Sequence, residues 1–398
     1  MFSSLRHRNY RLYWIGSLVS NSGHWMDNVA FNWLIWDMTG SGAYLGLLNL
    51  FRALPILFFT LFGGALADRM ERRKLMQVTQ TAAMILALIL AALVFAGEAT
   101  VFLVFVIAVG RGVVMSINMP TRQALISDIV GKEDLMNAIA LNSATMNLTR
   151  ILGGVLGGLL ITWVGTGGAF LINGLSFIIL IVALAMMTIP PIVKPANQRN
   201  IFAAISDGFS YLAHDSVLRS LVLLALIPML LGMPYVTLLP IFADTVLDIG
   251  NEGYGILLAF SGVGAMCGAL AVAGLSRMRH RGLVMILVMI GFGVALMVFS
   301  WSNDPLLSCA LILGVGAGQT TYMAINNTLL QTIASDEMRG RVMSIFFLNR
   351  GLVPLGTVGA GFASEFIGVQ TTVTIMASII IVIGIIALIF ARPVREVP

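Results

Sequence analysis

Residues 371–390 read TTVTIMASIIIVIGIIALIF, a run of twenty residues without a charged side chain. A helix that crosses a membrane needs about 20 predominantly apolar residues. Leu75 to Gly97 and Gly167 to Val193 are also free of charge. Lipid accommodates only helices and closed barrels, because their backbone hydrogen bonds are all internal. Runs of this length therefore exclude strands and predict several membrane-spanning helices.

The composition extends this prediction to the whole chain. Hydrophobic residues make up 58% of the 398 residues and charged residues only 10%, whereas a soluble domain carries about 25% charged residues. We therefore expect an all-α integral membrane protein with twelve transmembrane helices. The predicted helices cover, within about two to four residues at each end, 11–36, 43–67, 75–97, 101–127, 136–164, 167–190, 217–246, 251–275, 282–301, 305–333, 341–366 and 370–391.

The charges predict the orientation. Of the 23 Lys and Arg residues, 19 fall in alternate connections or at the termini, and Arg122 is counted among them. The other connections carry only acids, such as Asp37, Glu98 and Asp304. Basic residues favour the cytoplasmic side, so we expect a multi-pass protein of the cell inner membrane with both termini in the cytoplasm. The pI of about 9.5 then reflects contact with anionic membrane lipids and not with nucleic acid.

A weak internal repeat divides the chain into halves. INMPTRQALISD at 117–128 recurs as INNTLLQTIASD at 325–336, displaced by 208 residues. Parallel repeats of this kind are typical of transporters whose site lies near the membrane midplane between them. We expect two pseudo-symmetric six-helix bundles. They cover 1–190 and 217–398, with 191–216 as a cytoplasmic linker.

The connection after the second predicted helix reads GALADRMERRK at 64–74. Gly64 permits close helix approach, and Asp68 can accept hydrogen bonds from a helix N-terminus or pair with an arginine. The basic cluster that follows is expected at the cytoplasmic face.

This stretch resembles the loop motif of the major facilitator superfamily, Gly-x3-Asp-Arg-x-Gly-Arg-Arg, with Glu71 in place of the usual glycine. The resemblance implies the major facilitator fold. It also implies a conformational gate formed by Gly64, Asp68, Arg69, Arg72 and Arg73, joined by Arg339 and Arg341 of the second half.

Three further stretches resemble the branch of that superfamily that contains enterobactin exporters and macrolide efflux pumps. They are PTRQAL at 120–125, NAIALNS at 137–143 and DEMRGRVMS at 336–344. The resemblance implies alternating access and outward export, driven by a proton gradient with no other cofactor. The partners it implies are a small-molecule substrate and protons, and we expect a monomer.

A glycine pattern in the fifth helix has two readings. Arg150 is followed by Gly153, Gly154, Gly157 and Gly158, which resembles the antiporter motif ending Gly-Pro-x-x-Gly-Gly, with Gly154 in place of the proline. Small residues four apart also let helix backbones approach closely in lipid. Both readings are compatible.

Five charges fall deep inside predicted helices: Asp27, Arg52, Arg111, Arg150 and Arg350. At 1.5 Å per residue they lie roughly 13–21 Å from the nearer helix end. Each is costly there unless it is paired or hydrated. We therefore predict a water-lined interior.

The repeat offset relates these positions to polar residues of the other half. The pairs are Asp27 with Tyr235, Arg111 with Gln319, Asn142 with Arg350 (beside Asn349), and Arg52 with Phe260. Three of the four pairs are polar on both sides, as positions facing a shared cavity would be. We predict a transport site that includes Asn142, Arg150, Tyr235, Gln319, Asn349 and Arg350.

The first helix carries a polar stripe of Ser17, Asn21, His24, Asn28 and Asn32, which fall within about 80° of one another at 100° per residue. The stripe predicts a cavity wall, and hydrogen bonding between helices is the alternative for any single asparagine.

Asp27 flanks this stripe and is the leading candidate for a proton carrier. Burial raises the pKa of a carboxyl group, whereas a nearby arginine lowers it. A static ion pair with Arg111 or Arg150 is the alternative, and His24 is the other titratable candidate.

Four cations against one acid give the predicted cavity a formal charge of +3. We therefore expect the cargo to be a small amphipathic or anionic organic molecule such as a siderophore or drug, and the resemblance implies that it is carried by a proton-coupled exporter, an antiporter. A lipid or lysolipid flippase and a proton-coupled importer are the alternatives. The arginines could also be neutralised by helix C-terminal carbonyls or lie outside the cavity. The sequence contains no catalytic motif, and Cys267 and Cys309 lie in predicted helices, which argues against a metal site.

Overall fold

The computed structural model describes residues 3–131, 133–188, 211, 215–275, 280–335, 338, 342–343, 345–346 and 351–397, except for the side chains of residues 61, 68, 273 and 275. Within these residues the chain folds into α-helices joined by short connections. The helices are Arg8–Thr39 (α1), Gly42–Arg69 (α2), Arg72–Phe95 (α3), Val101–Ile129 (α4), Leu135–Ala185 (α5), Ser216–Ile227 (α6), Tyr235–Ile241 (α7), Gly250–Leu275 (α8), Arg281–Trp301 (α9), Pro305–Ile333 (α10), Val353–Ile367 (α11), Val369–Phe390 (α12) and Arg392–Arg395 (α13).

Nine helical segments in the described part of the chain are long and apolar enough to cross a membrane. The longest, Leu135–Ala185, contains two predicted helices, because Gly165 breaks it with φ 71° and ψ 175°. α1 matches the first predicted helix but is too polar to count among the nine, and Val353–Ile367 covers the described end of the eleventh. The predicted all-α membrane fold is confirmed.

The seventh predicted helix is less regular than its sequence suggests. It runs from Ser216 to Val246 but passes through π-helical turns at Pro228–Gly232 and Phe242–Val246. Pro228, Pro234 and Pro240 each lack the backbone N–H that a continuous α-helix requires. The wider turns keep the segment helical across these gaps.

Packing divides the chain into two compact units. The first comprises Met1–Gly40, Leu48–Pro195 and Ile249–Ala259, and the second comprises Ser41–Leu47, Ala196–Asp248 and Phe260–Pro398. The predicted linker 191–216 lies almost entirely outside the described residues. The domain boundaries proposed above stay predictions.

In the first unit, α5 packs along α1 and α3, and α3 also packs against α4. Near the start of α1 these helices bury one apolar core. Its fully buried members include Tyr10, Met76, Leu125, Ala138 and Leu184. This core fixes the positions of four helices that carry the polar residues described below.

In the second unit, α9 packs against α10 and α12, and α6 packs against α10. Asn326 of α10 donates to the backbone oxygen of Leu221 at 3.0 Å and contacts Met285 Sδ at 3.5 Å. Its repeat counterpart in the first unit, Asn118, donates to Thr79 Oγ1 at 3.0 Å and contacts Met76 Sδ at 3.5 Å. The repeated asparagines thus join neighbouring helices within their own units.

Candidate functional site

The first unit contains a cavity of about 190 Å³. The polar residues that line it come from five helices: Ser20, Asn21 and His24 (α1), Arg52 (α2), Gln80 (α3), Arg111, Asn118 and Arg122 (α4), and Asn173 (α5). Four residues predicted from the sequence, Asn21, His24, Arg52 and Arg111, therefore meet at one place.

Asp27 and Arg111 form an ion pair beside this cavity. Asp27 is fully buried, and its Oδ2 accepts a hydrogen bond from Arg111 Nη1. Among the described residues, neither the other carboxylate oxygen nor Arg111 Nη2 has a hydrogen-bond partner. A static ion pair of Asp27 with Arg111 is one of the alternatives to a proton carrier that the sequence predicts. Whether Asp27 also carries protons stays a prediction.

Phe31 contacts two of the cavity arginines. Its ring is fully buried, with the guanidinium carbon of Arg111 at 4.8 Å and that of Arg52 at 5.6 Å from the ring centre. A cation over a desolvated ring contributes about 2 kcal/mol. Phe170 contacts the same ring edge-on at 5.7 Å. Phe31 was not predicted, because an apolar residue in an apolar helix carries no pattern that distinguishes it.

Arg122 corrects the count of loop cations. The prediction that it belongs to a connection is wrong, since it lies in α4, half-buried, and lines the cavity. Its Nε donates to Tyr13 Oη at 2.7 Å, Nη1 donates to Asn21 Oδ1 at 3.1 Å and Nη2 donates to Asn142 Oδ1 at 3.3 Å. The sequence did contain a signal for this, since residue 122 falls inside the predicted helix 101–127. The partners of Arg122 lie on other helices, and only the fold brings them together.

The polar stripe of α1 has two environments. Asn21 and His24 line the cavity, whereas Asn32 is buried and accepts a hydrogen bond from Asn49 Nδ2 of α2 at 3.2 Å. With its amide oxygen turned toward α2, Asn28 accepts hydrogen bonds from Arg52 Nη1 and Nη2 at 3.0 and 3.2 Å. One end of the stripe thus forms a cavity wall, and the other joins α1 to α2.

The remaining predicted site residues lie elsewhere or are not described. Arg150 lies half-buried on α5 and is not among the residues lining the cavity. In the second unit, the buried Tyr235 shares a hydrogen bond of 2.7 Å with Ser261 Oγ, and Gln319 is half-buried on α10. Asn349 and Arg350 lie outside the described residues.

The basic residues that follow α2, at the start of α3, are held by contacts with other parts of the first unit. Arg72 Nη1 donates to Asp128 Oδ1 at 2.6 Å, and Arg73 Nη1 donates to the backbone oxygen of Met187 at 2.7 Å. Arg69 is the exposed last residue of α2. The side chain of Asp68, and Arg339 and Arg341, lie outside the described residues. The gate assigned to these residues stays a prediction.

Two further details of this connection concern Gly64 and Glu71. Among the described residues, a Cβ at Gly64 would meet nothing within 4 Å, and the close approach expected there stays a prediction. A close approach between described helices occurs at Gly63, where a Cβ would lie 2.8 Å from Ile117 Cα. Glu71, where the family has glycine, has φ −64°, which any residue adopts. Hydrogen bonds from Lys74 and Arg73 hold the pKa of Glu71 below its usual range.

The glycines of α5 pack against two helices. A Cβ at Gly157 would lie 2.9 Å from Val29 Cβ of α1, and one at Gly158 would lie 2.8 Å from the backbone oxygen of Asn251 in α8. Asn251 Nδ2 also donates to the Gly158 oxygen at 3.1 Å. Close helix packing therefore accounts for these glycines, and antiport stays a proposal.

Comparisons with known proteins identify the family. The family model described as a transmembrane secretion effector matches residues 1–397. The chain is 24% identical over 359 residues to the staphyloferrin A transporter of Staphylococcus aureus, covering 89% of both chains. It is 27% identical over 387 residues to the multidrug efflux pump Tap of Mycolicibacterium fortuitum, covering 94% of both. It is 26% identical over 335 residues to the enterobactin exporter EntS of Shigella flexneri, covering 81% of this chain and 75% of that one.

Solved structures show the same fold at low identity. A bacterial homologue of the human lysosomal transporter Spinster, in an inward-facing and occupied conformation, has a TM-score of 0.76 and 14% identity, covering 98% of this chain and 97% of that one. The nucleoside transporter NupG also has a TM-score of 0.76 and 14% identity, covering 96% and 99%. The chain therefore belongs to the transmembrane secretion effector family of major facilitator transporters.

Proposed function

We propose that this transporter exports a small organic molecule with anionic or oxygen-rich groups, such as a siderophore, across the inner membrane in exchange for protons. The observation that carries the proposal is the cavity itself, where, among the described residues, Arg52, Arg111 and Arg122 are accompanied by one carboxylate, that of Asp27 beside the cavity. Excess positive charge in a confined site of low dielectric attracts anions and disfavours cations. The names of two relatives, a staphyloferrin A transporter and an enterobactin exporter, agree with a siderophore as cargo.

Proton coupling is assigned to the pair of Asp27 and Arg111. With Asp27 ionised, the two charges compensate each other, and a loaded cavity can close without leaving either charge unpaired. Protonation of Asp27 leaves Arg111 uncompensated, and an unpaired buried charge is strongly unfavourable. The protonated form therefore favours a state in which water reaches Arg111, so that proton binding and conformation are linked.

Transport in everted membrane vesicles tests this function. Respiration acidifies the vesicle lumen, so an antiporting exporter accumulates cargo inside. We expect pH-gradient-driven accumulation of carboxylate or catecholate siderophores in preference to a lipophilic cationic dye. Asp27→Asn should reduce it by at least about a hundredfold, the lower end of the contribution of one positioned proton-transfer group. Asp37→Asn, which makes the same change at an exposed position near the end of α1, is the matched control and should transport normally.

The contrary outcomes select other functions. Cargo driven out of the vesicles by the same gradient indicates import. Translocation of labelled lipid without siderophore transport indicates a flippase. Accumulation of only the cationic dye indicates drug efflux of the kind for which Tap is named. Full gradient-driven transport by Asp27→Asn refutes the assigned role of Asp27.

A further inference from the structure

Arg122 differs from the ion-paired Arg111 in its partners. Its three hydrogen bonds all go to neutral oxygens, those of Tyr13, Asn21 and Asn142. Within the described residues no carboxylate lies within ion-pair distance of its guanidinium. A half-buried cation held only by neutral groups keeps its full charge available to an anion.

The other two cavity arginines have different partners. Arg111 is ion-paired with Asp27. Arg52 directs both Nη atoms to the amide oxygen of Asn28 and lies over the Phe31 ring. The charge of Arg111 is thus compensated by a carboxylate, whereas that of Arg122 is not compensated by any described carboxylate within ion-pair distance.

The geometry around Arg122 fits an oxyanion. A guanidinium has five N–H donors, and three of them are used, one on each nitrogen. The two that remain, on Nη1 and Nη2, can donate to one carboxylate. Beside them, Asn21 Nδ2 is buried and has no hydrogen-bond partner among the described residues. Two N–H groups of Arg122 and the amide nitrogen of Asn21 thus remain available on two adjacent side chains that line the cavity.

We propose that Arg122 binds the ionised group of the cargo, a carboxylate or comparable oxyanion, with Asn21 as a second donor and with Tyr13 and Asn142 as positioning residues. This inference rests on the proposed function, because it takes the cavity as the cargo site. It adds which residue distinguishes an anionic cargo from a neutral molecule of the same shape.

Asn142 allows the charge to be tested without removing Arg122. Asn142→Asp would place a carboxylate at the position that now accepts from Arg122 Nη2 at 3.3 Å, and the arginine would be neutralised in place. Asn142→Leu removes the same hydrogen bond without adding charge. A difference between these variants therefore reports the charge on Arg122 and not the packing around Asn142.

Ligand-induced thermal stabilisation of the purified full-length protein in detergent measures the effect, because a ligand that binds only the folded state raises the unfolding temperature with its affinity. The probes are 1-naphthoate, which carries one carboxylate, and 1-naphthamide, its neutral isostere. We expect the wild type to prefer the naphthoate. Arg122→Gln and Asn142→Asp should weaken naphthoate binding by about tenfold to a hundredfold, the scale of a charge-assisted hydrogen bond. Naphthamide binding should change little, Arg122→Lys should retain part of the preference, and Asn142→Leu most of it.

The outcomes separate the two proposals. A wild type that binds both probes equally contradicts the anionic cargo class and with it the proposed function. A wild-type preference for naphthoate that persists in both Arg122→Gln and Asn142→Asp overturns the assignment to Arg122 alone. Equal losses in Asn142→Asp and Asn142→Leu also overturn it, because they would trace the effect to packing.

Discussion

At the scale of single residues, the molecule stabilises each membrane-embedded charge in a different way. Asp27 is paired with Arg111, Arg52 is held by the amide of Asn28, and Arg122 is held by three neutral oxygens on two helices. The sequence identified the first three charges by their depth in predicted helices. It did not identify their partners, because side chains distant along the chain meet only after the helices pack.

The ion pair predicts strong coupling between two substitutions. Arg111→Gln leaves the Asp27 carboxylate buried and unpaired, which should cost about 3–5 kcal/mol of stability. The double variant Asp27→Asn with Arg111→Gln removes both charges and should recover much of this loss. Unfolding of the purified protein in detergent, measured for both single variants and the double variant, gives the coupling energy. Simple additivity of the two single effects would contradict a direct pair.

At the scale of helices, the apolar windows predicted the existence and extent of every described span, whereas features inside helices followed from contacts. The break at Gly165 and the π-helical turns at Pro228–Gly232 are examples. So is the close contact that Gly63 of α2 makes with α4. A one-residue shift turns a helix face by about 100°, and hydropathy does not resolve that difference when both faces are apolar.

Adjacent glycines in α2 therefore predict opposite outcomes for the same substitution. Gly63→Ala would place its Cβ 2.8 Å from Ile117 Cα, whereas Gly64→Ala would meet none of the described residues within 4 Å. We expect Gly63→Ala to destabilise the protein by about 1–3 kcal/mol, as overpacking does, and Gly64→Ala to have little effect. Thermal unfolding of the two variants in the same detergent measures this. Equal destabilisation, or a larger loss for Gly64→Ala, would contradict the close contact at Gly63.

At the scale of the whole molecule, the fold class and family predicted from the sequence are confirmed. The orientation in the membrane stays a prediction from the distribution of charge. Most basic residues lie in or next to alternate connections and at the termini, and the other connections carry only acids. In the structure, Arg72 and Arg73 begin α3, and Glu98 lies beyond its other end, between α3 and α4.

The orientation predicts which connections face the cytoplasm. After Cys267 and Cys309 are replaced with serine, single cysteines at exposed Glu98 and exposed Arg392 report the two sides. In right-side-out vesicles, a membrane-impermeant maleimide should label Glu98→Cys at once and Arg392→Cys only after permeabilisation, because basic segments are retained in the cytoplasm. The reverse labelling pattern would refute the predicted orientation.

The sequence by itself determined that the chain is a helical membrane protein, where its helices lie and which family it resembles. These properties depend on local composition, since a charge-free run of about 20 residues has few stable alternatives in lipid. Only the tertiary structure decided that Arg122 belongs to the cavity, that two guanidinium groups lie near the Phe31 ring and that Gly63 makes a close contact. Each of these depends on atoms from helices far apart in the chain, whose rotation and register are set by packing. Residues 371–390 lie within one helix, Val369–Phe390. Its apolar sequence predicts that the helix spans the membrane but does not predict which helices pack against it.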